Sequence, residues 1–155
     1  MTVHTRKPAS GKSPTSLVIL LHGYGSNGED LIGLTPYLTQ DLPDTVFVSP
    51  DAPYPCEMGF GNQWFSLQSW SPLALLAGAE MASGFLNKFI DEQMVKYNLP
   101  ASKVALVGFS QGTMMSLYVG PRRKEKLAGI VGYSGGLLGG EGLIGQPNIS
   151  RPPVY

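Results

Sequence analysis

Apolar residues along this chain fall into short unbroken runs, separated by polar and glycine-rich turns. Leu17-Val18-Ile19-Leu20-Leu21 is the first such run. An apolar run without alternation marks a strand covered on both faces. Thr45-Val46-Phe47-Val48, Lys103-Val104-Ala105-Leu106-Val107 and Leu127-Ala128-Gly129-Ile130-Val131-Gly132-Tyr133 follow the same pattern. Helical stretches lie between them. One is expected from Glu29 to about Gln40, with Pro36 a break or kink in it. A longer one starts at Ser71-Pro72, serine as cap and proline in the first turn, and runs to about Asn98, ahead of Pro100. Leu75, Ala79, Ala82, Leu86, Phe89 and Ile90 form its apolar stripe. A third helix should cover Gln111 to Tyr118. Strands alternating with helices predict an α/β fold with a largely parallel sheet, built as a single domain over 1–155.

Three stretches fall outside that rhythm. Residues 1–16 are polar and predict a loose leader or an edge strand. Residues 49–71 form a long irregular segment rich in aromatics, with Tyr54, Phe60, Trp64, Phe65 and Trp70. A long loop in a compact domain is more often functional than idle. The tail 135–152 is rich in glycine and proline, and Pro153-Val154-Tyr155 has the pattern of a further strand at its beginning.

Composition narrows the function classes. The chain has 155 residues, 43% of them apolar, enough to bury a real core. Only 14% are charged, against an average of roughly 25%. Lys plus Arg and Asp plus Glu each number 11. Such balance points to neither nucleic acid nor an acidic membrane surface as partner, and low charge favours self-association. The N-terminus lacks the apolar core of a signal peptide, and no unbroken apolar run reaches about 18 residues, so stable membrane insertion is not expected. Cys56 is the single cysteine, which excludes an internal disulfide and fits a cytoplasmic setting. Nothing in the sequence asks for a metal or a cofactor.

The chemistry concentrates in Gly108-Phe109-Ser110-Gln111-Gly112. The pattern G-x-S-x-G is weak alone. Here it follows a buried strand and opens a helix, the context in which a serine nucleophile is held on a tight turn. Gly108 and Gly112 keep that turn free of side chains. The competing reading is a serine that only caps a helix. His22-Gly23-Tyr24-Gly25 also follows a buried strand. Acyl transfer builds negative charge on a carbonyl oxygen, and backbone N–H groups aimed at it lower the barrier. Tyr24 N–H and Gln111 N–H are the candidate oxyanion donors; the alternative is an ordinary strand-to-helix turn. His22 and Gly23 would support that turn. His22 precedes the nucleophile, opposite to the order serine, acid, histidine of α/β-hydrolases, so it is expected to orient the turn rather than act as base. His4 is expected to be solvated, and Asp51 to order its loop.

Leu20-Leu21-His22-Gly23-Tyr24-Gly25, Ser49-Pro50-Asp51-Ala52-Pro53, Gln63-Trp64-Phe65 and the 108–112 pentapeptide stand in order. Together they resemble the phospholipase/carboxylesterase family of α/β-hydrolases, which includes acyl-protein thioesterases and bacterial carboxylesterases. The resemblance runs from about Leu17 to Tyr155. It implies a cofactor-free, metal-free hydrolase of small acyl esters, in some members of lysophospholipids or acyl thioesters, acting through an acyl-enzyme on Ser110. It also implies that Trp64 and Phe65 sit near the acyl-binding groove; packing in the core is the other reading of those aromatics.

The sequence departs from the family in one respect. After Ser110 it holds no Asp and no His; its only acids there are Glu125 and Glu141. The resemblance places the catalytic acid and histidine beyond the strand that Pro153-Val154-Tyr155 begins. The expectation is an α/β-hydrolase core incomplete at its C-terminus, the N-terminal two-thirds of the domain. The base and acid would then come from a missing C-terminal segment, from a second copy pairing at the open sheet edge, or from an unorthodox base such as His22 or a Lys. The alternative function is an impaired hydrolase scaffold that binds ligands or associates with itself.

Overall fold

The computed structural model describes residues 2–155. Its central sheet has five strands: β1 (Val3–Arg6), β2 (Ser16–Leu21), β3 (Thr45–Pro50), β6 (Val104–Phe109) and β7 (Gly129–Tyr133), in the order β1-β3-β2-β6-β7. All neighbours run parallel except β1, which pairs antiparallel with β3. The polar N-terminal stretch therefore supplies an edge strand. Two short strands, β4 (Tyr54–Pro55) and β5 (Asn62–Gln63), close a separate hairpin inside the aromatic segment.

The unbroken apolar runs are explained by the two faces they cover. Side chains alternate along a strand. In β2, Leu17, Ile19 and Leu21 join the larger core, with Leu106 of β6 and with α2 (Pro72–Tyr97) and α3 (Gln111–Arg122). Val18 and Leu20 turn to the other side, where Phe47 and Leu31 of α1 (Gly28–Ile32) meet them. The predicted stripe of α2 is buried in full. Ser71 caps α2 by accepting the Ala74 N–H at 3.2 Å, and Asn98 ends it in the left-handed conformation at φ 51°.

One expectation needs correction. The helix foreseen from Glu29 to Gln40 stops at Ile32, and a 3-10 turn over Thr35–Tyr37 takes its place. Pro36 lacks an N–H and disfavours helical backbone in the residue before it, so the α ladder cannot pass. By length and apolar content alone α2 would be able to cross a membrane. In this fold it is a core helix, with one face packed on the sheet and the other open.

Pro153, Val154 and Tyr155 run beside β7. Ile130 N–H donates to the Pro153 carbonyl, Tyr155 N–H to that of Ile130, and Gly132 N–H to that of Tyr155, at 2.9, 3.0 and 2.9 Å. The Ile130–Val154 bridge is parallel and isolated, so these residues pair with β7 as the start of a strand would, without adding a strand to the sheet.

Candidate active site

The site lies where the parallel strands end. Leu21, the last residue of β2, is paired with Gly108 of β6. The turns that follow both strands therefore leave the sheet side by side at its carboxyl edge, where ligands of open α/β sheets bind.

Ser110 sits between β6 and α3 with φ 52° and ψ −113°. Positive φ in a non-glycine residue is strained, by about 1–3 kcal/mol, and persists only when the surroundings fix it. They do so here. Ser110 N–H donates to the Tyr133 carbonyl at 2.8 Å, and the same carbonyl accepts the Thr113 hydroxyl at 2.8 Å. The flanking glycines are needed for space. A Cβ at Gly108 would stand 2.5 Å from the Gly112 carbonyl and the Thr113 nitrogen, and one at Gly112 would collide with the Leu21 carbonyl oxygen. Although Ser110 occupies the N-cap position of α3, its hydroxyl makes no capping hydrogen bond. The cap reading of this serine therefore lacks its defining contact. Half-buried at the head of α3, Ser110 also has the positive end of the helix beneath it.

The 22–25 turn abuts this serine. A Cβ on Gly23 would lie 3.3 Å from Ser110 Cβ and 3.2 Å from Phe109 Cδ1. His22 is fully buried and both of its ring nitrogens are engaged. Nδ1 lies 2.7 Å from the Gly23 carbonyl oxygen and Nε2 accepts the Ala52 N–H at 2.8 Å. That pairing requires a neutral ring carrying its proton on Nδ1. Burial holds its pKa below the ordinary value, opposed by the hydrogen bond to Gly23 and the charges of Asp51 and Asp30. His22 therefore has no free nitrogen with which to serve Ser110, and its place as an unorthodox base is removed. His4 is not simply solvated. It lies on β1 with Nε2 3.6 Å from Asp51 Oδ1. Asp51 in turn accepts the Gly28 N–H at 2.8 Å, at the start of α1.

Gln111 does more than the sequence suggested. Its buried side chain accepts the Trp64 N–H at 2.8 Å and donates to the Phe65 carbonyl at 2.8 Å. The residue after Ser110 thus grips the aromatic segment. Trp64 completes the link by donating from Nε1 to the His22 carbonyl at 2.9 Å. Its ring is fully buried and packs in the core, which leaves it no surface to offer a ligand. Phe65, 4% exposed, borders a surface depression of about 520 Å³ together with Tyr54, Gln63, Ala77, Gly78 and Met81. Of the two expected groove residues, only Phe65 touches open space.

Among the described residues no group of three or more His, Cys, Asp or Glu side chains is placed to hold a metal. Sequence reasoning also missed Thr113, Glu57 and the side chain of Gln111. Their partners lie far away in the chain, and no local pattern announces them.

A mostly parallel sheet with a strained serine at the tip of a central strand defines the core of an α/β-hydrolase. The family model for phospholipase/carboxylesterase matches residues 6–148, and the chain belongs to that family. It is 33% identical over 143 residues to acyl-protein thioesterase 1 of Candida albicans, covering 84% of this chain and 61% of that protein. It is 32% identical over 139 residues to acyl-protein thioesterase 1 homolog 2 of Dictyostelium discoideum, covering 81% and 60%. The crystal structure of esterase PE8 superposes with a TM-score of 0.90 at 42% identity, over 97% of this chain and 71% of that one. The carboxylesterase of Bacillus cereus, at 20% identity and a TM-score of 0.68 over 88% of this chain and 61% of that one, shares the fold. The chain spans about three-fifths of the length of these two curated relatives.

Proposed function

We propose that this chain carries the nucleophile and the oxyanion donors of a serine hydrolase acting on small carboxylic esters or acyl thioesters. Ser110 Oγ adds to the acyl carbon while its proton passes to a base. The alcohol or thiol leaves with a proton, and an acyl-Ser110 ester remains. Water then adds to that ester, releasing the acid and restoring the hydroxyl. Tyr24 N–H and Gln111 N–H receive the oxyanion in both steps. Gln111 opens α3, so its N–H has no intrahelical partner. Gly25 and Ser26 use their N–H groups on the Asn62 and Gly23 carbonyls, whereas Tyr24 N–H takes no partner among the described residues. The base and acid are proposed to come from outside these 155 residues. Trp64 is assigned to support, and Phe65 to the edge of the substrate surface. A cytoplasmic setting belongs to the same proposal.

The observation that carries this reading is Ser110 itself, held at φ 52° against the 22–25 turn with its hydroxyl free of any cap. A fluorophosphonate probe tests it. Covalent labelling at Ser110 is expected, and Ser110→Ala should abolish labelling and lower p-nitrophenyl acetate hydrolysis. Labelling that survives the alanine substitution would refute the nucleophile. A wild-type chain that neither labels nor hydrolyses would favour a binding scaffold, the reading that the engagement of His22 supports for this chain alone.

A further inference from the structure

The 54–63 hairpin rests directly on the 22–26 turn. Gly25 N–H donates to the Asn62 carbonyl at 2.9 Å, and Asn62 N–H donates to that of Ser26 at 2.7 Å. Gly61, at φ 66°, lies so close that a Cβ would collide with the Gly25 carbonyl. The hairpin tip brings Met58 and Phe60 over Gly25, with Sδ and Cε2 at 3.7 and 3.5 Å from a Cβ placed there. One side-chain hydrogen bond crosses the same junction: Tyr24 Oη donates to Glu57 Oε2 at 2.9 Å.

Glu57 is an unusual surface carboxylate. The Ser66 side chain, above all, holds its pKa below the usual range against partial desolvation, and Tyr24, Gln63 and the Leu67 backbone act in the same direction. Glu57 N–H also donates to Gln63 Oε1 at 3.1 Å. Glu57 thus ties the 22–26 turn to the hairpin through two hydrogen bonds. A charged acceptor makes the stronger kind of hydrogen bond. The peptide N–H of Tyr24, proposed above as an oxyanion donor, belongs to the same residue as the tethered phenol.

We propose that Glu57 is a positioning residue for hydrolysis at Ser110: through the Tyr24 hydroxyl its carboxylate latches the hairpin to the turn and fixes the aim of the Tyr24 N–H. The proposal rests on the oxyanion role given to that N–H. Complete loss of one such donor lowers turnover by about 10²–10³, so a loosened one should lower it by about tenfold. Oxyanion stabilisation survives loss of triad members, with about 10³–10⁴ of residual acceleration, so the effect is measurable on weak activity.

The experiment compares wild type, Glu57→Ala, Glu57→Gln and Tyr24→Phe by amide hydrogen exchange and by p-nitrophenyl acetate kinetics. Glu57→Ala and Tyr24→Phe should speed exchange at Gly25 and Asn62 several-fold, leaving amides of α2 unchanged. Both should lower kcat by about tenfold with little change in KM. Glu57→Gln keeps an acceptor for the phenol and should recover most of both losses. Unchanged exchange at Gly25 and Asn62 in Glu57→Ala and in Tyr24→Phe overturns the latch. Faster exchange with unchanged kcat, while Ser110→Ala is no longer labelled, overturns the positioning role and leaves the function standing. Probe labelling that survives Ser110→Ala overturns the function, and the exchange comparison still decides the latch.

Discussion

At the scale of single residues, Thr113 carries a consequence that can be measured. Its hydroxyl shares the Tyr133 carbonyl with the Ser110 N–H, and its side chain packs on Gly132 and Gly135. Thr113→Val keeps the shape and deletes one hydrogen bond, which should cost about 1 kcal/mol of stability in urea unfolding. Thr113→Ser keeps the bond and loses a methyl, at a similar cost of about 0.8 kcal/mol. The two should separate in the rate of Ser110 labelling, with valine the slower, because only valine removes one of the two bonds that tie the elbow to β7. Equal labelling rates would make Thr113 a packing residue alone. His22 supplies a second expectation. Its folded pKa lies below its ordinary value because it is buried, so as pH falls the unfolded chain takes up this proton first. Stability contributed by the neutral ring is complete above the ordinary histidine range, about pH 6.5, and declines below it until the folded pKa is reached. Urea midpoints should therefore fall between pH 8 and pH 5.5, and His22→Gln, which retains an acceptor for Ala52 N–H, should flatten that fall. An equal slope in both proteins would place the dependence elsewhere.

At the scale of elements, legibility followed burial. The strands β2 and β3 were readable because each is covered on both faces, and β6 because its apolar run is unbroken although its second face is only partly covered. The start of α2 was readable from Ser71-Pro72, since cap chemistry is local. The hairpin of β4 and β5 was not, because two-residue strands carry no periodicity; it exists through its hydrogen bonds to the 22–26 turn. The same distinction divides the site. The serine turn is a contiguous pattern and was legible, whereas Gln111 meets Trp64 across 47 residues and was not. That junction joins α3 to the aromatic segment and should be costly to break. Gln111→Ala would leave a buried N–H and a buried C=O unpaired, at about 1–3 kcal/mol for each. A thermal midpoint within a degree or two of wild type would show that water replaces the side chain.

At the scale of the whole molecule, sheet topology assembles the serine turn but brings no histidine to it. The neighbouring ends of β2 and β6 set two turns side by side, and α3 is aimed by the strand before it. Neither histidine of the chain joins them. His22 uses both nitrogens on Gly23 and Ala52, and His4 faces Asp51 from the far edge strand. The pH dependence of probe labelling follows from this arrangement. With a paired histidine, the rate would rise and then level off as that ring became neutral, near pH 6.5–7. Without one, removal of the Ser110 proton falls to hydroxide, and the rate should climb by about tenfold per pH unit from about pH 6 to about pH 9. The 155-residue chain is expected to behave in the second way. A plateau that disappears in His22→Gln would mean that the buried ring gives up its bond to Ala52 in order to reach Ser110. A plateau that survives that substitution would direct attention to a base contributed by another chain. A steady climb, lost entirely in Ser110→Ala, would establish that the elbow and the oxyanion turn form independently of the base that completes them.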